Sequence, residues 1–246
     1  RWLMPVVSLL VIAIGIGVLG NLNSSPEDAA EPAAPKMVNP TVQEMALAIV
    51  QIVGLDASGQ PLCSGSGSFV STDGLILTNA HVVTADQACN FKTIGVAITS
   101  DYAKPPELSY QAEVLATNPQ ADLAVIKVTK PLNANAKPPD AFPAFTLGDS
   151  DALTIGDPIR ILGYPEIGGR TITLTNGTVS GVSAPDKSGD RALIKTDATI
   201  VGGDSGGAAV DSAGNLVAVP TKARATDDGP AVDCRDLADT NGDGKV

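Results

Sequence analysis

From Thr41 onward the chain is written in short runs of Val, Ile, Leu and Thr, each four to eight residues long and closed by Gly, Pro, Asn or Asp. Runs of that length, broken by residues that favour turns, suit β-strands and leave no room for a long amphipathic helix. The expected strands are Ala48–Leu55, Gly67–Ser71, Leu75–Asn79, Ile94–Thr99, Gln111–Thr117 and Leu123–Val128, then Pro158–Tyr164, Thr171–Leu174, Thr178–Val182, Ala192–Thr196, Gly207–Asp211 and Leu216–Pro220. A polar, Pro-rich bridge from Lys130 to Pro143 separates the two groups. Low aromatic content (3%) beside 25 Gly and 18 Pro fits many strands and tight turns. The expected fold class is all-β, with two small units of about six strands each.

Charge and composition narrow the function. Sixteen basic against 27 acidic side chains give a net charge of −11, which disfavours binding to a phosphate backbone. One histidine excludes a multi-histidine metal centre, and three cysteines make neither a disulfide scaffold nor a zinc ribbon.

The N-terminal run Trp2 to Gly20 holds 19 residues without a charge. As a helix it would measure about 28 Å, close to the thickness of a bilayer core. Arg1 and Trp2 would sit at the membrane boundary. A cleaved signal peptide is the competing reading, but the run exceeds the usual apolar core of about 7–15 residues. Residues 21–40 are rich in Pro, Ala and acid and read as a flexible linker. The expected organisation is a membrane anchor at 1–20, a linker at 21–40, a first barrel at 41–135, a second barrel at 136–222 and an acidic segment at 223–246. In that last segment Asp239, Asn241 and Asp243 match the first oxygen ligands of an EF-hand-type loop, with Gly244 at the turn. Calcium is the side expectation there. A solvated acidic tail is the alternative.

Chemistry concentrates in the string VGGDSGGA, where Ser205 is flanked by glycines. A serine hydroxyl needs a base to become a nucleophile. Glycines let successive backbone N–H groups converge on one point, where an oxyanion could form. The lone histidine, His81, ends a hairpin that turns at Asp73-Gly74 and runs through LILTNAH. Asp122 opens the apolar strand DLAVIKV. Asp101 and Asp149 are rival acids, but neither leads into a comparable strand.

His81, Asp122 and Ser205, in that order and within TNAHVV, DLAVIKV and GGDSGGA, resemble the triad of a trypsin-like serine peptidase of the chymotrypsin fold. With GDPIRILGYP and TNGTVSG added, the chain from about Ala48 to Val219 is similar to the bacterial Deg/HtrA-style branch. The resemblance implies two antiparallel six-stranded barrels, the first carrying His81 and Asp122 and the second Ser205. It implies Ser205 as nucleophile, His81 as proton shuttle, Asp122 as its orienting carboxylate, and the N–H groups of Gly203 and Ser205 as oxyanion hole. No cofactor is needed for that chemistry. Counting back from Ser205, Thr199 falls at the base of the substrate pocket with Ile200 beside it, which favours small apolar P1 residues over Lys or Arg.

Related peptidases often clamp the histidine loop with a disulfide, a role that would fall to Cys63 and Cys89. Two unpaired thiols are the alternative, and Cys234 has no evident partner. The family's last barrel strand and closing helix are not visible after Val219, and the chain opens on Arg, so continuation beyond both ends is expected. The resulting expectation is a membrane-anchored, extracytoplasmic serine endopeptidase with protein or peptide substrates and no nucleic-acid partner, with a homo-oligomer as one form it could take. Self-cleavage in cis would share its chemistry. The alternative from another class is a non-catalytic cell-surface binding module using calcium-dependent contacts.

Overall fold

Thr41 and Glu44 satisfy each other's backbone at the start of the described fold. The Thr41 hydroxyl accepts from the Glu44 N–H at 3.2 Å, while Oε2 of Glu44 accepts from the Thr41 N–H at 2.8 Å. This capping box launches a six-residue helix, α1 (Val42–Leu47), which the strand-only expectation did not include. The computed structural model describes residues 37–132, 138–166, 170–183 and 193–221.

Six antiparallel strands follow: β1 (Ile49–Leu55), β2 (Pro61–Phe69), β3 (Leu75–Thr78), β4 (Thr93–Ile98), β5 (Glu107–Asn118) and β6 (Leu123–Pro131). They pair in the order β1-β2-β3-β6-β5-β4, and β1 then pairs with β4 to close a barrel. Closure leaves no unpaired strand edge. Val50, Ile52, Phe69, Ile76, Val96 and Ile126 fill its interior. The polar bridge hides one apolar plug: Phe142 is buried, stacks on Phe69 with ring centroids 4.6 Å apart, and meets Tyr110 edge-on at 5.6 Å. The hairpin turn lies where expected, with Gly74 at φ +95°.

The second group comprises β7 (Pro158–Gly163), β8 (Thr173–Ser183), β9 (Leu193–Thr196), β10 (Ala208–Val210) and β11 (Leu216–Ala218). Among the described residues these form an open five-stranded antiparallel sheet, ordered β11-β10-β7-β8-β9, where a six-stranded barrel was expected. The strand count differs by one at Asn176-Gly177. Between Thr171–Leu174 and Thr178–Val182 this pair reads as a turn, yet it lies inside the single strand β8. Gly177 is there for close approach, since a Cβ on it would come within 2.3 Å of the Ala198 nitrogen.

Both faces of β1 are buried, which explains its nearly continuous apolar sequence. Val50 and Ile52 point into the barrel, whereas Ile49 joins Met45, Ala48, Phe145, Leu162, Tyr164 and Val210 in a core shared with the second sheet. The hydroxyls of Thr99 and Tyr164 bond across the same junction. These contacts hold the sheet against the barrel, where a site can be assembled from both. Among the described residues no helix is long and apolar enough to cross a membrane. The apolar run Trp2–Gly20 lies outside them.

Candidate active site

β3 buries Thr78 and the following Asn79 and Ala80 before the chain emerges at His81, which is exposed. Asp122 meets it from the turn between β5 and β6. Oδ2 of Asp122 lies 2.7 Å from Nδ1 of His81, and Oδ1 accepts from the His81 backbone N–H at 3.0 Å. The side chain and main chain of the histidine are thus gripped by one carboxylate.

That grip needs an unusual backbone. Asp122 sits at φ +51°, a left-handed conformation that is costly for a residue other than glycine. Asn79 holds it there by donating from Nδ2 to the Asp122 carbonyl at 2.8 Å. Thr221 donates its hydroxyl to Oδ2 at 2.7 Å. Burial pushes the Asp122 carboxyl up, but the hydrogen bonds from His81 and Thr221 outweigh it and hold the group below the usual aspartate value. An ionised carboxylate only accepts hydrogen bonds, so Nδ1 of His81 is the donor to Asp122, the tautomer that in a neutral ring leaves the lone pair on Nε2.

Ser205 comes from the loop between β9 and β10. Two successive turns shape the loop, with the Asp204 N–H donating to the Val201 carbonyl and the Gly207 N–H to the Asp204 carbonyl. Gly203 and Gly206 adopt φ +96° and +88° on either side of the serine. Neither could carry a side chain: a Cβ would lie 2.3 Å from the Tyr164 carbonyl oxygen at Gly203 and 2.1 Å from that of Ser66 at Gly206. Asp204 is buried, which raises its carboxyl above the usual value although the Val201 N–H partly opposes this at 3.0 Å.

The loop is laid directly on the barrel. The Ser66 N–H of β2 donates to the Ser205 carbonyl at 2.8 Å. A Cβ added to neighbouring Gly65 would stand 2.8 Å from the Val82 methyls and 3.3 Å from the Ser205 carbonyl oxygen. Ser205 and the residue after His81 therefore flank the same glycine. Among the described residues both hydrogen bonds of His81 go to Asp122, and none joins it to the Ser205 hydroxyl. Such contacts commonly tighten only around substrate.

The other candidates divide. Asp101 receives the Ala103 N–H and pairs with Lys104, and Asp149 caps the short 3-10 turn Ser150–Ala152, so both rival acids are engaged in local turns. Thr199 is exposed, with its carbonyl accepting from the Thr175 hydroxyl at 2.8 Å, and Ile200 packs on the core of the second sheet. Cys63 and Cys89 are disulfide-bonded, closing the segment that contains His81. Among the described residues no three His, Cys, Asp or Glu side chains form a metal-binding group. Asp239, Asn241, Asp243 and Cys234 lie outside the described residues. Three residues escaped the sequence reading as participants: Ser66, Asn79 and Thr221. Asn79 stands in the string already noted for the histidine, while nothing in the sequence marks Ser66 or Thr221.

Comparison with known proteins gives the family. The trypsin-like peptidase domain family matches residues 65–219. Serine protease HTRA1 of Xenopus laevis is 32% identical over 203 residues, covering 79% of this chain and 37% of its own length. Periplasmic serine endoprotease DegP of Escherichia coli K12 is 33% identical over 166 residues, covering 67% of this chain and 31% of DegP. Among solved structures, the serine endoprotease from Yersinia pestis aligns with a TM-score of 0.54 at 27% identity, over 72% of this chain and 54% of that one. The chain thus spans about a third of the length of these two curated relatives.

Proposed function

The chain belongs to the trypsin-like serine peptidases, in their Deg/HtrA branch, and from that premise we propose that it is an endopeptidase working through Ser205, His81 and Asp122. The observation that carries the reading is the double hold of Asp122 on His81, at 2.7 and 3.0 Å, beside a serine loop fastened to the same barrel.

In the proposed reaction the Ser205 Oγ attacks the scissile carbonyl carbon while Nε2 of His81 takes its proton. Asp122 stabilises the imidazolium so formed without taking the proton itself. The oxyanion rests on the N–H groups of Gly203 and Ser205, where a single donor is typically worth about 3 kcal/mol of barrier. The carbon–nitrogen bond then breaks as His81 returns the proton to the departing amine, leaving an acyl-serine. Water repeats the sequence: His81 deprotonates it, the ester breaks, and Ser205 regains its hydrogen.

The resemblance, which sets Thr199 at the base of the substrate pocket, supports cleavage after small apolar residues such as Val, Ala or Ile, in exposed or unfolded segments of proteins. The Cys63–Cys89 disulfide supports an extracytoplasmic location, as does the periplasmic setting named for DegP. The uncharged run Trp2–Gly20 supports anchoring in a membrane. A fluorophosphonate probe tests the core of the proposal. It should label the protein and fail on Ser205→Ala; equal labelling of both would refute the assignment.

A further inference from the structure

Ser66 is completely buried, although nothing about a serine between two glycines in a strand marks it for the interior. Its polar groups are all used. The hydroxyl donates to the Gly203 carbonyl at 2.7 Å and accepts from the Tyr164 N–H at 2.8 Å. Its own N–H donates to the Ser205 carbonyl at 2.8 Å, and its carbonyl accepts from the Thr78 hydroxyl at 2.7 Å. Three of these four bonds reach from the barrel to the second unit, and two of them end on Gly203 and Ser205.

Gly203 is the weak point of an oxyanion hole built this way. It has no side chain to limit its dihedrals, and its φ of +96° is one of several it could adopt. Hydrogen bonds must hold the flanking peptide planes instead. The Glu166 N–H holds the plane before Gly203 by donating to the Gly202 carbonyl at 2.8 Å. The Ser66 hydroxyl holds the plane after it. A hydroxyl suits this place because it donates and accepts at once, linking the end of β7 to the loop; an alanine would leave a buried N–H and a buried carbonyl without their partner.

We infer that Ser66 is a positioning residue, whose hydroxyl locks Gly203 in the orientation that stabilises the oxyanion and so makes the hole depend on the barrel packed beneath it. The inference rests on the proposed peptidase reading and deepens it. It predicts a loss confined to the tetrahedral state, because the hydroxyl touches neither substrate nor the reacting atoms.

The test compares wild type, Ser66→Ala, Ser66→Cys and Ser205→Ala well below their melting temperatures. A peptide amide substrate, the matching peptidyl aldehyde (which adds covalently to a serine) and the matching peptidyl alcohol (which does not) are the probes. Ser66→Ala should lower kcat about 10–100-fold with KM within about twofold. Aldehyde affinity should fall by a similar factor while alcohol binding stays unchanged. Ser66→Cys keeps a weak donor in nearly the same volume and should fall between the two, and it carries the same test if the alanine variant does not fold. Unchanged kcat and aldehyde affinity, or equal weakening of aldehyde and alcohol, would overturn the assignment. Fluorophosphonate labelling of wild type but not Ser205→Ala shows that such a failure belongs to Ser66 alone; an unlabelled wild type overturns the peptidase reading and this inference together.

Discussion

The Thr221 hydroxyl and Asp122 are hydrogen-bonded at 2.7 Å, on the same carboxylate oxygen that faces the His81 ring. They lie 99 residues apart in the chain, so the contact ties the end of the described second unit to the histidine's partner. Thr221→Val keeps the shape and removes the donor. Loss of one hydrogen bond to a partly buried charge should cost about 1–2 kcal/mol at neutral pH. The sign of its pH dependence follows from the Asp122 carboxyl, held below the ordinary value of 3.8. A depressed acid contributes stability above its unfolded value and loses it as pH falls through the folded value. In the variant burial is less opposed, so the folded value rises toward the unfolded one. Thermal melts should show the largest gap from wild type at pH 7, closing once Asp122 is protonated in both. A gap constant from pH 7 to 2 would contradict this.

The Cys63–Cys89 bond closes a loop with a sequence separation of 26. Chain-entropy arguments assign a loop of that size about 3 kcal/mol, or about 6–12 °C of melting temperature for a domain this large. The double Cys→Ser variant should lose that much in a calorimetric scan. Its turnover at low temperature should stay near wild type, because Asp122 grips His81 directly and does not depend on the disulfide. An unshifted melt would show that the bond constrains neither the folded nor the unfolded chain.

Much of this site was readable before any coordinates, for identifiable reasons. His81 closes a hairpin whose strand period and Asp-Gly turn are local signals. Asp122 stood out from Asp101 and Asp149 because an apolar strand follows it, and that strand pairs with the one leading to His81. The left-handed backbone of Asp122 was invisible, since it depends on Asn79 from another strand. Ser66 was missed because its partners are main-chain groups nearly 100 or more residues away. The Asn-Gly pair in β8 misled because a glycine chosen for close approach looks the same in sequence as one chosen for a turn. Phe142 was hidden by its polar neighbours.

Gly203 offers a sharp test of the oxyanion arrangement. Gly203→Ala forces a Cβ to within 2.3 Å of the Tyr164 carbonyl oxygen at a φ of +96°, so the loop must move. Displacing one donor of an oxyanion hole typically costs 10²–10³ in kcat. The variant should show about that loss in steady-state hydrolysis, with far less change in KM. A variant with wild-type kcat would show that the Gly203 N–H does not serve the transition state.

Asp204 should show the reverse pH behaviour to Asp122. It is buried beside Ser205, and that burial raises its carboxyl above the ordinary aspartate value despite the Val201 N–H. Between the unfolded and folded values the native chain binds more protons than the unfolded one, so stability falls as pH rises through that window. Above it the folded protein carries an ionised group that would be better solvated in the unfolded chain. Asp204→Asn retains an oxygen able to accept from the Val201 N–H and removes the charge. The variant should therefore melt higher than wild type at pH 7–8. The advantage should shrink on acidification, as the wild-type carboxyl takes up its proton, and vanish where Asp204 is neutral in both states. Melting curves across pH 3–8 decide the matter. An asparagine variant less stable than wild type at pH 7 would mean that the ionised carboxylate is held by more than the one backbone donor found at Val201.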